Sequence, residues 1–161
     1  MPVANKQGMQ LRLIAVGKLR ETYTAQACAE FAKRLSAYYP LEIVEVRAAS
    51  GTRPADAMRD EGERLLQMLS AGDEVWLLDR TGEEFSSEDL ARKLDRVAHE
   101  GSRRLVVIVG GTYGVSSAVL QRATLRWSLS KLTFLHEWAR MIALEQLYRA
   151  AKIIRNEPYH H

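Results

Sequence analysis

The feature that most constrains the fold of this chain is a regular alternation between short apolar runs and longer segments with helical spacing. The runs are too short for helices of average length, and between them apolar residues recur every three or four positions. Strands joined by helices pack most simply as a parallel sheet with helices on its faces. The alternation therefore predicts the α/β class, with a mostly parallel sheet flanked by helices.

Local signals give the approximate bounds of the elements. Pro40 ends the first helix, Pro54 suits the first position of the second, and Ser86 followed by Asp89 is a capping-box signature for the third. The predicted strands cover residues 11–17, 41–46, 74–79, 105–109 and 127–134. The predicted helices cover residues 22–39, 54–70, 87–101, 117–126 and 136–155. The run at 105–109 is apolar without alternation, which predicts a strand covered on both faces.

Size and composition exclude several classes of protein. The chain has 161 residues, about the size of one domain, and its single cysteine, Cys28, excludes an internal disulfide. No apolar run approaches the roughly 20 residues of a membrane helix. The polar residues 1–8 lack the apolar stretch of a signal peptide. We expect a disordered N-terminal extension at residues 1–8, a single domain at residues 9–161, no membrane partner and a cytoplasmic location.

The charge balance leaves the partner open. The formal net charge is +3, a mild basic bias that is smaller than a dedicated nucleic-acid binder usually carries. Arginines outnumber lysines, which suits contact with phosphate, but a GC-rich genome would give the same bias.

Three places have the position that ligand sites take in open α/β sheets, just beyond the carboxyl ends of strands. They are Leu78–Asp79, Gly110–Gly114 and Leu129–Phe134. The glycine loop matches neither a dinucleotide-binding fingerprint nor a Walker A loop, and a tight strand-to-helix turn would explain it equally well. No histidine lies at metal-ligand spacing from a cysteine or carboxylate, so we expect no metal site.

The last predicted helix has too wide an apolar arc for one sheet face to cover. Its polar stripe contains Glu145, Arg149 and Lys152, and apolar residues take most of the remaining circumference. A second copy of the chain would bury the remainder, which favours a homodimer over a helix buried within one monomer. Beyond this helix, Tyr159 and His160 could stack on a nucleobase or form a frayed end.

Several segments together resemble one known family. The resemblance spans about Met9 to His160 and is strongest near the carboxyl terminus, in Glu145–Ala150 and Tyr159–His160. The chain is similar to the large-subunit rRNA pseudouridine N3-methyltransferases of the SPOUT superfamily. At Leu135 it departs from the proline that this family commonly has before the histidine. The other matching segments are residues 13–19, 60–66, 109–111 with Gly114, and 129–136.

This resemblance implies a trefoil knot in the carboxyl-terminal half, a homodimer, and S-adenosylmethionine as the methyl donor. It implies that the chain methylates N3 of a pseudouridine in 23S rRNA on the assembled ribosome, without a metal. His136 and Arg140 would face the acceptor, and Tyr159 with His160 would close over the base. The implied donor-binding residues are Leu78, Gly110, Gly111, Gly114, Leu129, Ser130, Lys131, Leu132, Thr133 and Phe134.

The sequence alone leaves two other functions open. A non-catalytic ribosome-binding or RNA-binding protein of the same fold would have an unused pocket. A small nucleotide-binding or flavin-binding protein would contact phosphate at the Gly110 loop, but no lysine or hydroxyl forms a phosphate clamp there. Binding of S-adenosylmethionine distinguishes both from the methyltransferase.

Overall fold

Strands and helices alternate throughout residues 8–50 and 53–159, the parts of the chain that the computed structural model describes. The strands are β1 (Gln10–Val16), β2 (Leu41–Val46), β3 (Glu74–Glu84), β4 (Arg104–Val109) and β5 (Leu125–Ser128). The helices are α1 (Thr22–Leu35), α2 (Pro54–Gln67), α3 (Ser87–His99), α4 (Ser117–Arg122) and α5 (His136–Ile154).

The strands form one sheet in the order β2-β1-β4-β3-β5, and every paired neighbour runs parallel. This confirms the α/β class. The central strand β4 is buried on both faces, as its unbroken apolar sequence predicts: Val106 and Ile108 face one core, and Leu105 and Val107 face the other.

The helices cover the two faces unequally. Helix α5 packs against both α1 and α3 on one face, over a core that includes Leu13, Trp76 and Leu144. Helices α2 and α4 contact each other on the opposite face, where Leu65 and Val119 are buried. Because α5 lies between two helices and the sheet, its wide apolar arc is largely covered within one chain. That arc therefore supports a homodimer less strongly than the sequence pattern alone indicates.

The local start signals are confirmed. The Ser86 hydroxyl accepts a hydrogen bond from the Asp89 N–H at 3.0 Å, and Pro54 is the first residue of α2. Helix α1 ends at Leu35, four residues before the predicted end, because residues 36–39 turn back and bury Tyr38 and Tyr39.

The prediction of a strand over residues 127–134 is wrong for most of its length. Strand β5 is shorter and earlier, because the Thr124 N–H bonds to the Val75 carbonyl and brings Leu125 into register beside β3. The same pairing ends α4 at Arg122 instead of about residue 126. Residues 129–135 form a loop, in which the Ser130 hydroxyl accepts from the Leu132 N–H at 3.1 Å.

Some expectations fall on parts of the chain that are not described. Residues 1–7 lie outside the described ranges, as do His160 and His161, so the extension at 1–8 stays a prediction and no position is given for the His160 side chain. The trefoil knot also stays a prediction. No helix within residues 8–50 and 53–159 is both long and apolar enough to cross a membrane.

Candidate functional site

A cleft of about 700 Å³ opens beside the middle of β3 and at the carboxyl ends of β4 and β5. Three segments form its walls: residues 77–80 within β3, the glycine loop after β4, and the loop between β5 and α5. Every predicted donor-binding residue except Lys131 lines this cleft, although the binding role of each residue stays a prediction. The lining residues in question are Leu78, Gly110, Gly111, Gly114, Leu129, Ser130, Leu132, Thr133 and Phe134.

The glycine loop is a tight turn that favours glycine at two of its positions, at Gly110 for lack of space and at Gly114 because of its backbone conformation. A β-carbon on Gly110 would lie 2.7 Å from Cγ1 of Val115. Gly114 has φ +90°, which L-residues rarely adopt, and its N–H donates to the Gly111 carbonyl at 3.1 Å. Its glycines therefore serve the turn itself, and the same turn presents backbone groups to the cleft.

A charged network fixes the wall formed by the second half of β3. The Asp79 carboxylate accepts hydrogen bonds from the Thr81 N–H and hydroxyl and from the Arg126 guanidinium. Burial raises the pKa of Asp79, but these hydrogen bonds outweigh burial and hold it below its ordinary value. Asp79 therefore places an ionised carboxylate at the cleft at neutral pH. The prediction that the strand ends at Asp79 is wrong, because β3 continues to Glu84 and Asp79 lies within it. Nothing in the sequence indicates that Arg126 joins Asp79.

His136 is the first residue of α5 and lines the cleft. The next residue, Glu137, points the other way and is 8% exposed. Its Oε1 accepts hydrogen bonds from the N–H groups of Arg20 and Glu21 and from the Thr24 hydroxyl, at 3.0, 3.2 and 2.7 Å. This carboxylate caps the start of α1, which has no side-chain cap of its own, and ties it to the start of α5. Nothing in the sequence indicates this role.

Arg140 does not line the cleft. Its guanidinium is 2% exposed, pairs with Glu45 at 2.7 Å, and donates to the Gly17 carbonyl at 3.1 Å. The same side chain borders a separate hollow of about 320 Å³ beside Cys28. These contacts place Arg140 in the packing of α5 against β1 and β2 rather than opposite an acceptor in the cleft of its own chain.

Tyr159 also lies away from the cleft of its own chain. Its hydroxyl donates to Glu145 at 2.8 Å, and the Arg149 guanidinium stacks on its ring and pairs with the same carboxylate. Glu145 follows His136 by nine residues, about 14 Å along a helix axis. Burial and the neighbouring carboxylate raise the pKa of Tyr159, so its phenol is protonated at neutral pH.

Metal ligands are not clustered anywhere in the described ranges: no group of three His, Cys, Asp or Glu side chains there could hold an ion. The cleft instead offers backbone groups from two loops, apolar walls and one carboxylate–guanidinium pair. Such a site suits a mixed polar and apolar organic ligand.

The parallel sheet and the cleft at its carboxyl edge define an open α/β protein with a ligand site at strand ends. A family model described as predicted SPOUT methyltransferase matches residues 9–160, nearly the whole chain. The chain belongs to this family.

Curated relatives agree with the family match. A protein from Gloeobacter violaceus named ribosomal RNA large subunit methyltransferase H is 48% identical over 153 residues, covering 95% of this chain and 99% of that protein. Relatives with the same name from Desulfitobacterium hafniense and Pelobacter propionicus are 43% and 44% identical over similar shares. Among solved structures, a methylase family protein from Neisseria gonorrhoeae superposes with a TM-score of 0.55. It is 14% identical, and the match covers 100% of this chain and 90% of that one, which supports the fold alone.

Proposed function

We propose that this protein transfers a methyl group from S-adenosylmethionine to large-subunit rRNA in the cytoplasm. The observation that carries the proposal is the family match over residues 9–160, with relatives up to 48% identical that are named as rRNA methyltransferases. The cleft supports it, because the residues that the resemblance assigns to the donor come together there.

The cleft fits the donor chemically. Its glycine loop brings backbone groups close to a ligand, and Leu78 and Leu129 supply apolar surface for the adenine ring of the donor. Asp79 adds an ionised carboxylate, paired with Arg126, at the same site. When bound, the donor supplies a methyl group activated by a sulfonium. The loops that contain Gly110 and Leu129 would hold and orient it, and alignment at near-attack distance supplies much of the rate enhancement.

The acceptor that we propose is N3 of a pseudouridine in 23S rRNA on the assembled ribosome. This imide nitrogen must lose its proton to become nucleophilic, so a proton acceptor at the cleft would accelerate transfer. His136 is the candidate, because it lines the cleft and an imidazole nitrogen can accept a proton. Arg140 would act indirectly, through packing at the start of α5, since its guanidinium is bound to Glu45 and Gly17.

The proposed homodimer gives Tyr159 and His160 a place in the reaction. Tyr159 is anchored to Glu145, about 14 Å along α5 from the cleft of its own chain. In a dimer, this end of the chain would instead close over the base at the cleft of the second copy. A dimer carries a charge of only about +6, so recognition of ribosome shape should contribute more than phosphate attraction.

The test is a methyl-transfer assay with labelled S-adenosylmethionine and ribosomes from a strain that lacks this gene, followed by mass spectrometry of the digested rRNA. One methylated pseudouridine in 23S rRNA supports the whole proposal. Donor binding without transfer would point to a different RNA or a different assembly state of the ribosome. Absence of donor binding would favour the alternative, a non-catalytic ribosome-binding protein of the same fold.

A further inference from the structure

Glu61 of α2 is a buried carboxylate directly beneath the glycine loop, and it does not line the cleft. It is 5% exposed, although ionised carboxylates are rarely buried unless several hydrogen bonds compensate for their lost hydration. One oxygen, Oε2, accepts from the Ala49 N–H at 3.0 Å, which ties α2 to the segment after β2.

The other oxygen, Oε1, faces the loop. It lies 2.5 Å from the point that a β-carbon on Gly111 would occupy, so only glycine allows the carboxylate this approach. Within residues 8–50 and 53–159, no group donates a hydrogen bond to Oε1. Buried polar atoms in folded proteins are nearly always hydrogen-bonded. We therefore expect the glycine loop to donate a hydrogen bond to Oε1 when a ligand is bound in the cleft.

Gly62, the next residue of α2, packs against the other end of the same loop. A β-carbon on Gly62 would overlap the hydroxyl of Ser116, the residue that caps α4. Residues 61 and 62 of α2 therefore contact both the start and the end of the segment from Gly111 to Ser116. A helix packed this closely can set the position of the loop backbone.

We propose that Glu61 is a positioning residue of the donor site. Its Oε1 accepts a hydrogen bond from a backbone N–H of residues 110–112, while Oε2 holds Ala49, and together they fix the glycine loop in the conformation that binds the donor. This inference rests on the proposed function, since it takes S-adenosylmethionine as the ligand of the cleft. Glu61 does not itself contact the donor.

The decisive variant is Glu61→Gln, which keeps the size of the side chain but turns one acceptor into an NH₂ donor. The amide can satisfy either Ala49 or the loop, but not both. We expect the Kd for S-adenosylmethionine, measured by calorimetry, to rise about tenfold or more, as for loss of a hydrogen bond to a charged group. Glu63→Gln is the matched control, because Glu63 is exposed on the same helix, and its Kd should stay within about twofold of wild type.

Gly111→Ala perturbs the same contact from the loop side. Its φ is outside the left-handed region, so alanine is tolerated by the backbone and is opposed only by its close neighbours, the Glu61 carboxylate first. We expect weaker donor binding, and the double variant Glu61→Gln/Gly111→Ala should bind no more weakly than the worse single variant. This variant also carries the test if Glu61→Gln fails to fold.

Kinetics separate positioning from a general loss of structure. Positioning predicts a raised KM for the donor, with kcat at saturating donor and KM for ribosomes near wild-type values. The inference is overturned if Glu61→Gln binds the donor as tightly as wild type, or if the two substitutions lose affinity additively. If wild type itself does not bind S-adenosylmethionine, the proposed function fails instead.

Discussion

The carboxylate of Glu137 caps α1, although its hydrogen-bond donors lie 113 to 117 residues earlier in the sequence. Replacing Glu137 therefore tests how α1 and the start of α5 are joined. A single oxygen, Oε1, accepts three hydrogen bonds, from the N–H groups of Arg20 and Glu21 and the hydroxyl of Thr24. Glu137→Ala leaves these three donors without their acceptor, whereas Glu137→Gln keeps an oxygen and removes only the charge.

The magnitude follows from these contacts. A hydrogen bond to a charged acceptor contributes about 1.5–3 kcal/mol, but water would reach part of the opened site, so Glu137→Ala should lower the free energy of unfolding by about 3 kcal/mol. Neutral hydrogen bonds are roughly half as strong, so Glu137→Gln should cost about 1.5 kcal/mol. For a domain of this size, those losses lower the Tm by roughly 6–12 °C and 3–6 °C.

The dependence on pH provides a second signature. The hydrogen bond from Thr24, followed by those from Glu21 and Arg20, lowers the pKa of Glu137. Stabilisation by a group with a lowered pKa is complete above its unfolded value, about 4.3, and is lost as the pH falls through the folded value. The difference between wild type and Glu137→Gln should therefore be largest at neutral pH and shrink below about pH 4.

The assay is urea and thermal unfolding at one fixed protein concentration. Glu21→Gln is the control, because the Glu21 side chain is exposed and the substitution removes the same charge at the start of α1. The Tm of this variant should change little. A Glu137→Ala variant within about 0.5 kcal/mol of wild type at neutral pH would refute the capping argument.

Three further predictions follow from other contacts. His136→Ala should lower the single-turnover methylation rate about 100-fold or more, with donor affinity unchanged by calorimetry, if His136 accepts the acceptor proton. Arg140→Met should lower the free energy of unfolding by about 1.5 kcal/mol in urea, because the Gly17 carbonyl loses its charged donor and the exposed Glu45 carboxylate loses its partner. Burial raises the pKa of Asp73, but hydrogen bonds from Arg104 and a backbone N–H outweigh it and lower the pKa. Asp73→Asn should therefore cost about 2 kcal/mol at neutral pH and progressively less as the pH falls below about 4, in urea titrations across pH.

Each of these has a result that would contradict it. His136→Ala with the rate of an exposed-histidine control, His99→Ala, would remove His136 from the reaction. An Arg140→Met variant as stable as wild type would show that its ion pair contributes nothing net. If the cost of Asp73→Asn were the same at pH 3 and pH 7, the pairing with Arg104 would not be the source of the stabilisation.

Much of the fold could be predicted because its signals are local. The hydrogen bond from the Asp89 N–H to Ser86 joins residues three positions apart, and Pro54 starts α2 through its own backbone constraint. The apolar run of β4 likewise predicted a strand covered on both faces. The positions of the cleft loops follow from the same order of elements, because parallel strands end at one edge of the sheet.

The errors and omissions occur where distant residues decide. Residues 129–134 have the apolar content of a strand, yet β5 pairs earlier, since the Thr124 N–H is bonded to Val75 of β3. Sequence alone places Glu137 and Arg140 at the start of a helix, but which neighbours their side chains meet depends on how α5 packs against α1 and the sheet.

The sequence by itself determined the class of fold, the family, and the loops that form the cleft. It could do so because periodicity, turn residues and motifs each lie within a short stretch of the chain. Only the tertiary structure decided that Glu137 caps α1, that Arg140 is buried against Glu45, and that Glu61 lies beneath Gly111. Those contacts join segments far apart in sequence, and no local preference encodes which buried polar groups become partners when the elements pack.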